Sequence, residues 1–184
     1  EVVGRVLPGG NAQPDDLAQM VEQRCDAAVM EVSSHALHQH RVDGIHFRAG
    51  VFTNLTQDHL DYHGSMEEYF RAKRVLFESL DSTAHAIINI DDAWGKKMWK
   101  VGSAGKISYS MLEHADVSAH QISLSMNKTS FMVVHKGEES LLESLLIGRF
   151  NVSNILAAFS TGIGLGIPKP IMQQNGYRPL KTIK

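Results

Sequence analysis

Three short apolar runs, "AAVMEV" (27–32), "AGVFTNL" (49–55) and "HAIINI" (85–90), alternate with stretches of helical character. That rhythm restricts the chain more than any other feature. Strands of this length separated by helical segments predict a mostly parallel sheet with crossover helices. Pro14-Asp15-Asp16 opens the first helical stretch with acids in its first turn, as the helix dipole prefers, and "LAQMVEQR" continues it. "SSHALHQHR" reads as a turn into a second helix. In open α/β sheets ligands gather outside the carboxyl ends of the strands, where Glu31, Asn54 and Asp91 stand.

From about residue 105 the pattern becomes β-rich: "KISYS", "HQISLSM", "TSFMVVH", a Lys-Gly-Glu turn at 136–138 and "SLLESLLIG". These segments are expected to be antiparallel edge strands and a hairpin. "FNVSNILAAFSTGIGLGIP" predicts a helix begun near Asn151 and stopped by glycines and Pro168. No internal repeat or low-complexity tract interrupts the chain.

A chain of 184 residues, 43% hydrophobic and 21% charged, is long enough for one domain with a sizeable core. A formal charge of -2 and a pI near 6.6 provide no basic field for nucleic acid. The lone Cys25 cannot form an internal disulfide, which points to a reducing compartment. No apolar run approaches the ~20 residues of a membrane span, and no signal-peptide pattern opens the chain. The expectation is a cytoplasmic monomer with neither nucleic-acid nor membrane partners.

The most informative segment is "TNLTQDHLDYHGSMEEYFRAKRVLFESL" (53–80). Ser65 followed by Glu68 is a capping-box pattern and predicts a helix running to about Leu80. Its apolar stripe comprises Met66, Tyr69, Phe70, Leu76, Phe77 and Leu80, with Lys73 inside it. A lysine on a buried face must snorkel, pair with an anion or have a lowered pKa, and only the last leaves a neutral, nucleophilic amine. Such an amine can add carbon dioxide and become an anionic carbamate. Upstream, Asp58, His59, Asp61 and His63 crowd together; they form either a divalent-cation site or a polar turn capping its neighbours. Glu31, at the end of an apolar strand, is either functional or a buried hydrogen-bonded carboxyl.

"MEVSSHALHQHRV" (30–42), "FTNLTQDHLDYHGSMEEYFRAKRVLF" (52–77), "INIDD" (88–92) and "GRFNVSNILAAF" (148–159) together resemble the central, ATPase-like domain of the Mur ligase family. The similarity extends from about residue 17 to 167, with the four motifs in the family order. It is greatest to the branch that adds meso-diaminopimelate or L-lysine to UDP-MurNAc-L-Ala-D-Glu during peptidoglycan precursor synthesis. The resemblance implies a mostly parallel sheet with helices on both faces plus a small antiparallel β portion, and ATP and Mg2+ as cofactors. It places Glu31 on an acidic magnesium ligand, His59 on the histidine of a second magnesium and Lys73 on a carbamylated lysine, all three catalytic and metal-binding. Magnesium prefers oxygen, which makes His59 an atypical ligand. Ser33, Gln39 and Arg41 fall on positions that hold the UDP-MurNAc-dipeptide, and Asn151 and Asn154 on an Asn pair near the adenine. The partners implied are that dipeptide and a diamino acid.

Two features depart from the family. The Gly-rich loop ending Gly-Lys-Thr that cradles ATP phosphates is missing, since "AGKIS" (104–108) and "WGKKMW" (94–99) lack its glycine or hydroxyl. The family's Thr-Thr-Pro is replaced by Val6-Leu7-Pro8. The chain therefore reads as a single partial central domain, residues 1–184. It lacks the N-terminal strand and phosphate loop, begins with a divergent segment (1–16) and ends in a tail (168–184) toward a missing C-terminal domain. Alone, it is expected not to catalyse ligation. The competing expectations are a metal-dependent hydrolase with His35, His38, His40 and His46 among its ligands, and a degenerate non-catalytic binding module. Trp94, Trp99 and Cys25 are expected to be structural.

Overall fold

The structure is a computed structural model that describes residues 4–7, 14–57 and 60–174. They form two compact units, one containing the described residues up to 45 together with 60–75, the other containing 46–57 and 76–174.

The first unit carries a two-stranded parallel sheet, β1 (Gly4–Leu7) against β2 (Ala27–Met30), linked through α1 (Pro14–Glu22). β1 was not anticipated. It contains the Val6-Leu7 of the divergent segment, and its pairing with β2 is a long-range choice that four residues do not reveal. After β2 come α2 (Ser34–His38), α3 (Leu60–His63) and most of α4 (Met66–Ser79). The Ser65 cap is realised: its Oγ accepts from the Glu68 N–H at 3.2 Å, so α4 begins where the capping box requires.

The second unit is a six-stranded sheet in sequence order, β3 (Ala49–Phe52), β4 (His85–Asn89), β5 (Gly105–Ser110), β6 (Val117–Leu124), β7 (Thr129–His135) and β8 (Glu138–Ser144). The first four strands run parallel and the last two pair antiparallel. "KISYS" is therefore a correction, because β5 is an interior parallel strand between β4 and β6 rather than an antiparallel edge. Two carboxylates account for its register. Asp91 accepts from Ser110 Oγ, from Met111 N at 2.8 Å and from Leu112 N at 3.3 Å, fixing the chain as it leaves β5. Asp116 then accepts from Ser108 N at 2.8 Å and from Ser108 Oγ at 2.6 Å, bringing Val117 beside Tyr109. Asp91, at its strand end, thus holds a loop. The predicted turn after β7 is the two-residue Lys136-Gly137 link, with φ values of 52° and 78° that suit a primed hairpin turn.

Helices cover both faces of this sheet. Alternation along β4 and β5 sends Ile87, Ile107 and Tyr109 to one face, where α6 (Arg149–Gly164) buries Val152, Ile155, Leu156 and Phe159 against them. α6 starts two residues before the predicted Asn151, capped by Gly148 with no side-chain bond. On the other face Phe52 meets Phe77 edge-on with ring centroids 6.1 Å apart, and Leu80 packs over Gly50. α5 (Ala93–Met98) is capped by Asp92 and lies against the end of β4. Trp94 sits within it and Trp99 caps its end, both only partly exposed.

A Cβ at Gly95 would stand 1.8 Å from the Asn89 carbonyl oxygen, which is main chain and cannot swing aside. Gly95→Ala is expected to destabilise the protein by about 1–3 kcal/mol. Urea denaturation should show a lower midpoint at unchanged slope; an unchanged midpoint would contradict the packing of α5 on β4.

Candidate active site

The site in the first unit is assembled where β2 ends. Glu31 and Val32 form the exit from the strand, and Ser33 then caps α2, its Oγ accepting from the Ala36 N–H at 3.1 Å. That cap turns the chain sharply and leaves the Val32 carbonyl outside any helix. Lys73, one turn beyond Tyr69 on α4, fills the need: its Nζ donates to Val32 O at 3.1 Å.

Lys73 is half-buried, and removal from water holds its pKa below that of an ordinary lysine. The Glu31 carboxylate acts in the opposite direction and only partly offsets this. Glu31 itself is exposed. A lysine on the apolar stripe has thus neither snorkelled free nor been fully neutralised by an anion. Its amine meets one carbonyl and feels one nearby carboxylate.

Gln39 caps the C-terminus of α2, its N–H donating to His35 O at 2.8 Å, and its side chain is exposed. The side chain of Arg41 is also exposed, while its backbone N–H donates to Ala36 O at 2.9 Å. Glu31, Ser33, Gln39, Arg41 and Lys73 therefore belong to one unit, on α2, α4 and the segments bounding α2. Asn151 and Asn154 belong to the other, side by side on the first turns of α6. Asn151 Nδ2 donates to Ile147 O at 2.9 Å, and Asn154 Nδ2 to Asn151 Oδ1 at 3.5 Å. Asp58 and His59 lie outside the described residues.

The other histidines have mundane partners. His38 Nδ1 and Tyr62 Oη share a hydrogen bond of 2.7 Å, the His35 ring lies 4.0 Å from that of Tyr62, and His40 pairs with Asp43. Among the described residues no group of three or more His, Cys, Asp or Glu side chains converges to hold a metal ion. Three residues near Lys73 received no individual role from the sequence: Ser34, fully buried; His63, bonded to Ser34 Oγ through Nε2 at 2.8 Å; and Tyr69, whose ring stacks on that of His63 at 5.0 Å. The four-residue step from Tyr69 to Lys73 on one helix face was the available signal.

A magnesium ion requires oxygen donors, and an amine is a poor one. The fit depends on the state of Lys73. A lysine with depressed pKa supplies neutral amine, and addition of CO2 gives a carbamate with release of a proton, R-NH2 + CO2 → R-NH-COO− + H+. Such a carbamate would be a carboxylate-like donor and, with the Glu31 carboxylate whose charge Lys73 feels, would fit the oxygen preference of magnesium.

The family model described as the Mur ligase middle domain matches residues 12–162. A relative from Bacillus velezensis, UDP-N-acetylmuramoyl-L-alanyl-D-glutamate--2,6-diaminopimelate ligase, is 46% identical over 175 residues, covering 88% of this chain and 36% of the relative. A solved ligase of the same description superposes with a TM-score of 0.84 at 29% identity, covering 94% of this chain and 40% of that one. The MurF ligase from Thermotoga maritima, solved in complex with ADP, shares the fold at 15% identity with a TM-score of 0.65, covering 90% of this chain and 40% of its own. The chain spans roughly a third of the length of the curated relative it matches. With this match over most of its length, and a sheet and helix order shared with solved members, the chain belongs to the Mur ligase middle-domain family.

Proposed function

We propose that this chain is the central domain of an ATP-dependent amide ligase that joins meso-diaminopimelate to UDP-MurNAc-L-Ala-D-Glu in the cytoplasm, a step of peptidoglycan precursor synthesis. The observation that carries this reading is the half-buried Lys73 amine, donating to Val32 O beside Glu31 in a chain of this family. The name of the Bacillus velezensis relative favours diaminopimelate over lysine as the incoming amino acid.

In this reading the γ-phosphoryl group of ATP passes to the D-glutamate side-chain carboxylate, giving an acyl phosphate and ADP. The amine of the diamino acid attacks that carbonyl carbon, phosphate leaves and the amide remains. The enzyme contributes mainly positioning and charge compensation. Glu31 and carbamylated Lys73 would hold magnesium, His59 would serve a second magnesium, and the metal supplies neutralisation of the anions that must meet. Arg41 offers a planar fork matched to a carboxylate or phosphate. The Ser33 hydroxyl already accepts from Ala36 N, yet as a hydroxyl it can also donate to a substrate oxygen. Gln39 lies at the exposed end of the same short helix and supplies an amide to the dipeptide. Asn151 and Asn154 together offer carboxamide donors and acceptors to the adenine.

Two outcomes test this. In the ligase that carries this domain, Lys73→Ala is expected to cut ligation by about 10²–10³-fold, the scale of losing one positioned electrostatic group. Added short carboxylates should restore part of it. The measurement is phosphate release dependent on both the UDP-linked dipeptide and meso-diaminopimelate, and an alanine variant of normal activity would overturn the role.

The second outcome concerns stability. Because the folded state lowers the Lys73 pKa, the unfolded chain binds more protons between that depressed value and 10.5, so stability attributable to this residue rises with pH across that window. In bicarbonate-free buffer the melting temperature of the parent should therefore gain on that of Lys73→Met as pH rises toward 10.5, superimposed on the constant loss of the Val32 bond in the variant. A parent that loses ground to Lys73→Met as pH rises would contradict the desolvated amine.

A further inference from the structure

His63 belongs to no part of the machinery described above. Its ring meets those of Tyr62 and His35, and two further contacts tie it toward Lys73. Nε2 shares a hydrogen bond of 2.8 Å with the Oγ of Ser34, a fully buried first residue of α2. One face stacks on the Tyr69 ring, with centroids 5.0 Å apart and planes inclined by 13°. Ser34 and Tyr69 both stand next to groups that meet Lys73. Ser34 follows the Val32 and Ser33 turn that presents the carbonyl to Nζ, and the Tyr69 ring centroid lies 5.9 Å from Nζ. Tyr69 is itself buried.

We propose that His63 is a positioning residue for Lys73, clamping the turn after β2 and the Tyr69 ring so that the amine is held where it can be carbamylated. The clamp acts from both directions. One contact fixes the main chain that accepts the Lys73 bond, the other fixes the aromatic ring over which Nζ lies, 5.9 Å from its centroid. Truncating the half-buried His63 is costly because it leaves the Ser34 hydroxyl, fully buried, without that partner. The effect of His63 on Lys73 passes through Ser34 and Tyr69. The carbamate part of this inference rests on the function proposed for Lys73; the clamp does not.

The test has two arms that separate those claims. The first is a double-mutant cycle in the ligase that carries this domain, with His63→Ala, Lys73→Met and the pair, read by chemical denaturation. The shifts in midpoint should be non-additive, whereas a histidine that merely packs locally gives additive shifts. The second arm supplies 13C-bicarbonate to the folded proteins and reads the carbamate resonance by NMR, assigned by its absence in Lys73→Ala. The signal should fall several-fold in His63→Ala and in Ser34→Ala, and His63→Gln, which keeps a side-chain partner for Ser34, should recover part of it. Additive midpoints overturn the clamp, as does an unchanged carbamate signal in folded His63→Ala. A coupled cycle with no carbamate signal in the parent would uphold the clamp and refute the carbamylation of Lys73.

Discussion

The hydrogen bond from Lys73 Nζ to Val32 O is the interaction on which the site depends. It joins the middle of α4 to the turn that leaves β2, two segments far apart in sequence. The bond satisfies a carbonyl that the Ser33 cap has placed beyond both strand and helix. It does so with a group whose charged form is disfavoured there. An arginine would keep its charge regardless of burial, and a leucine would leave the carbonyl without this donor. Of these three side chains only lysine combines a donor with a proton that burial can remove, which is the property that a carbamate chemistry would exploit.

Elsewhere the fold uses charge for architecture. Asp91 and Asp116 bind backbone N–H groups and serine hydroxyls around β5, and Asp92 caps α5 with two bonds. These carboxylates hold the loops at one end of the sheet. An acid at a strand end is thus an ambiguous sign. Glu31 is exposed and its charge is felt by Lys73, whereas Asp91 is absorbed by the turn after Ser110.

Much of this was legible in the order of residues. The apolar run at β4 stands out because buried parallel strands need continuous hydrophobic surface, whereas β2, equally apolar in sequence, is largely exposed; the capping box at Ser65 is local chemistry that no tertiary context altered. The Lys136-Gly137 turn was equally local. What escaped was non-local. β5 has the same composition whether it pairs parallel or antiparallel, and its neighbours were chosen by Asp91 and Asp116. β1 is a four-residue strand recognisable only through β2. At the site, the placement of Lys73 on the apolar stripe was readable from helical period, while the Ser34–His63–Tyr69 chain requires α2, α3 and α4 to meet and leaves no pattern in sequence.

The most direct measurement of the central claim is the electron density at Lys73 in crystals of the ligase that carries this domain, grown with bicarbonate and magnesium. The account predicts a planar, three-atom extension on Nζ sharing a cation with Glu31. A bare ammonium or amine still donating to Val32 O, with the cation bound elsewhere, would contradict it.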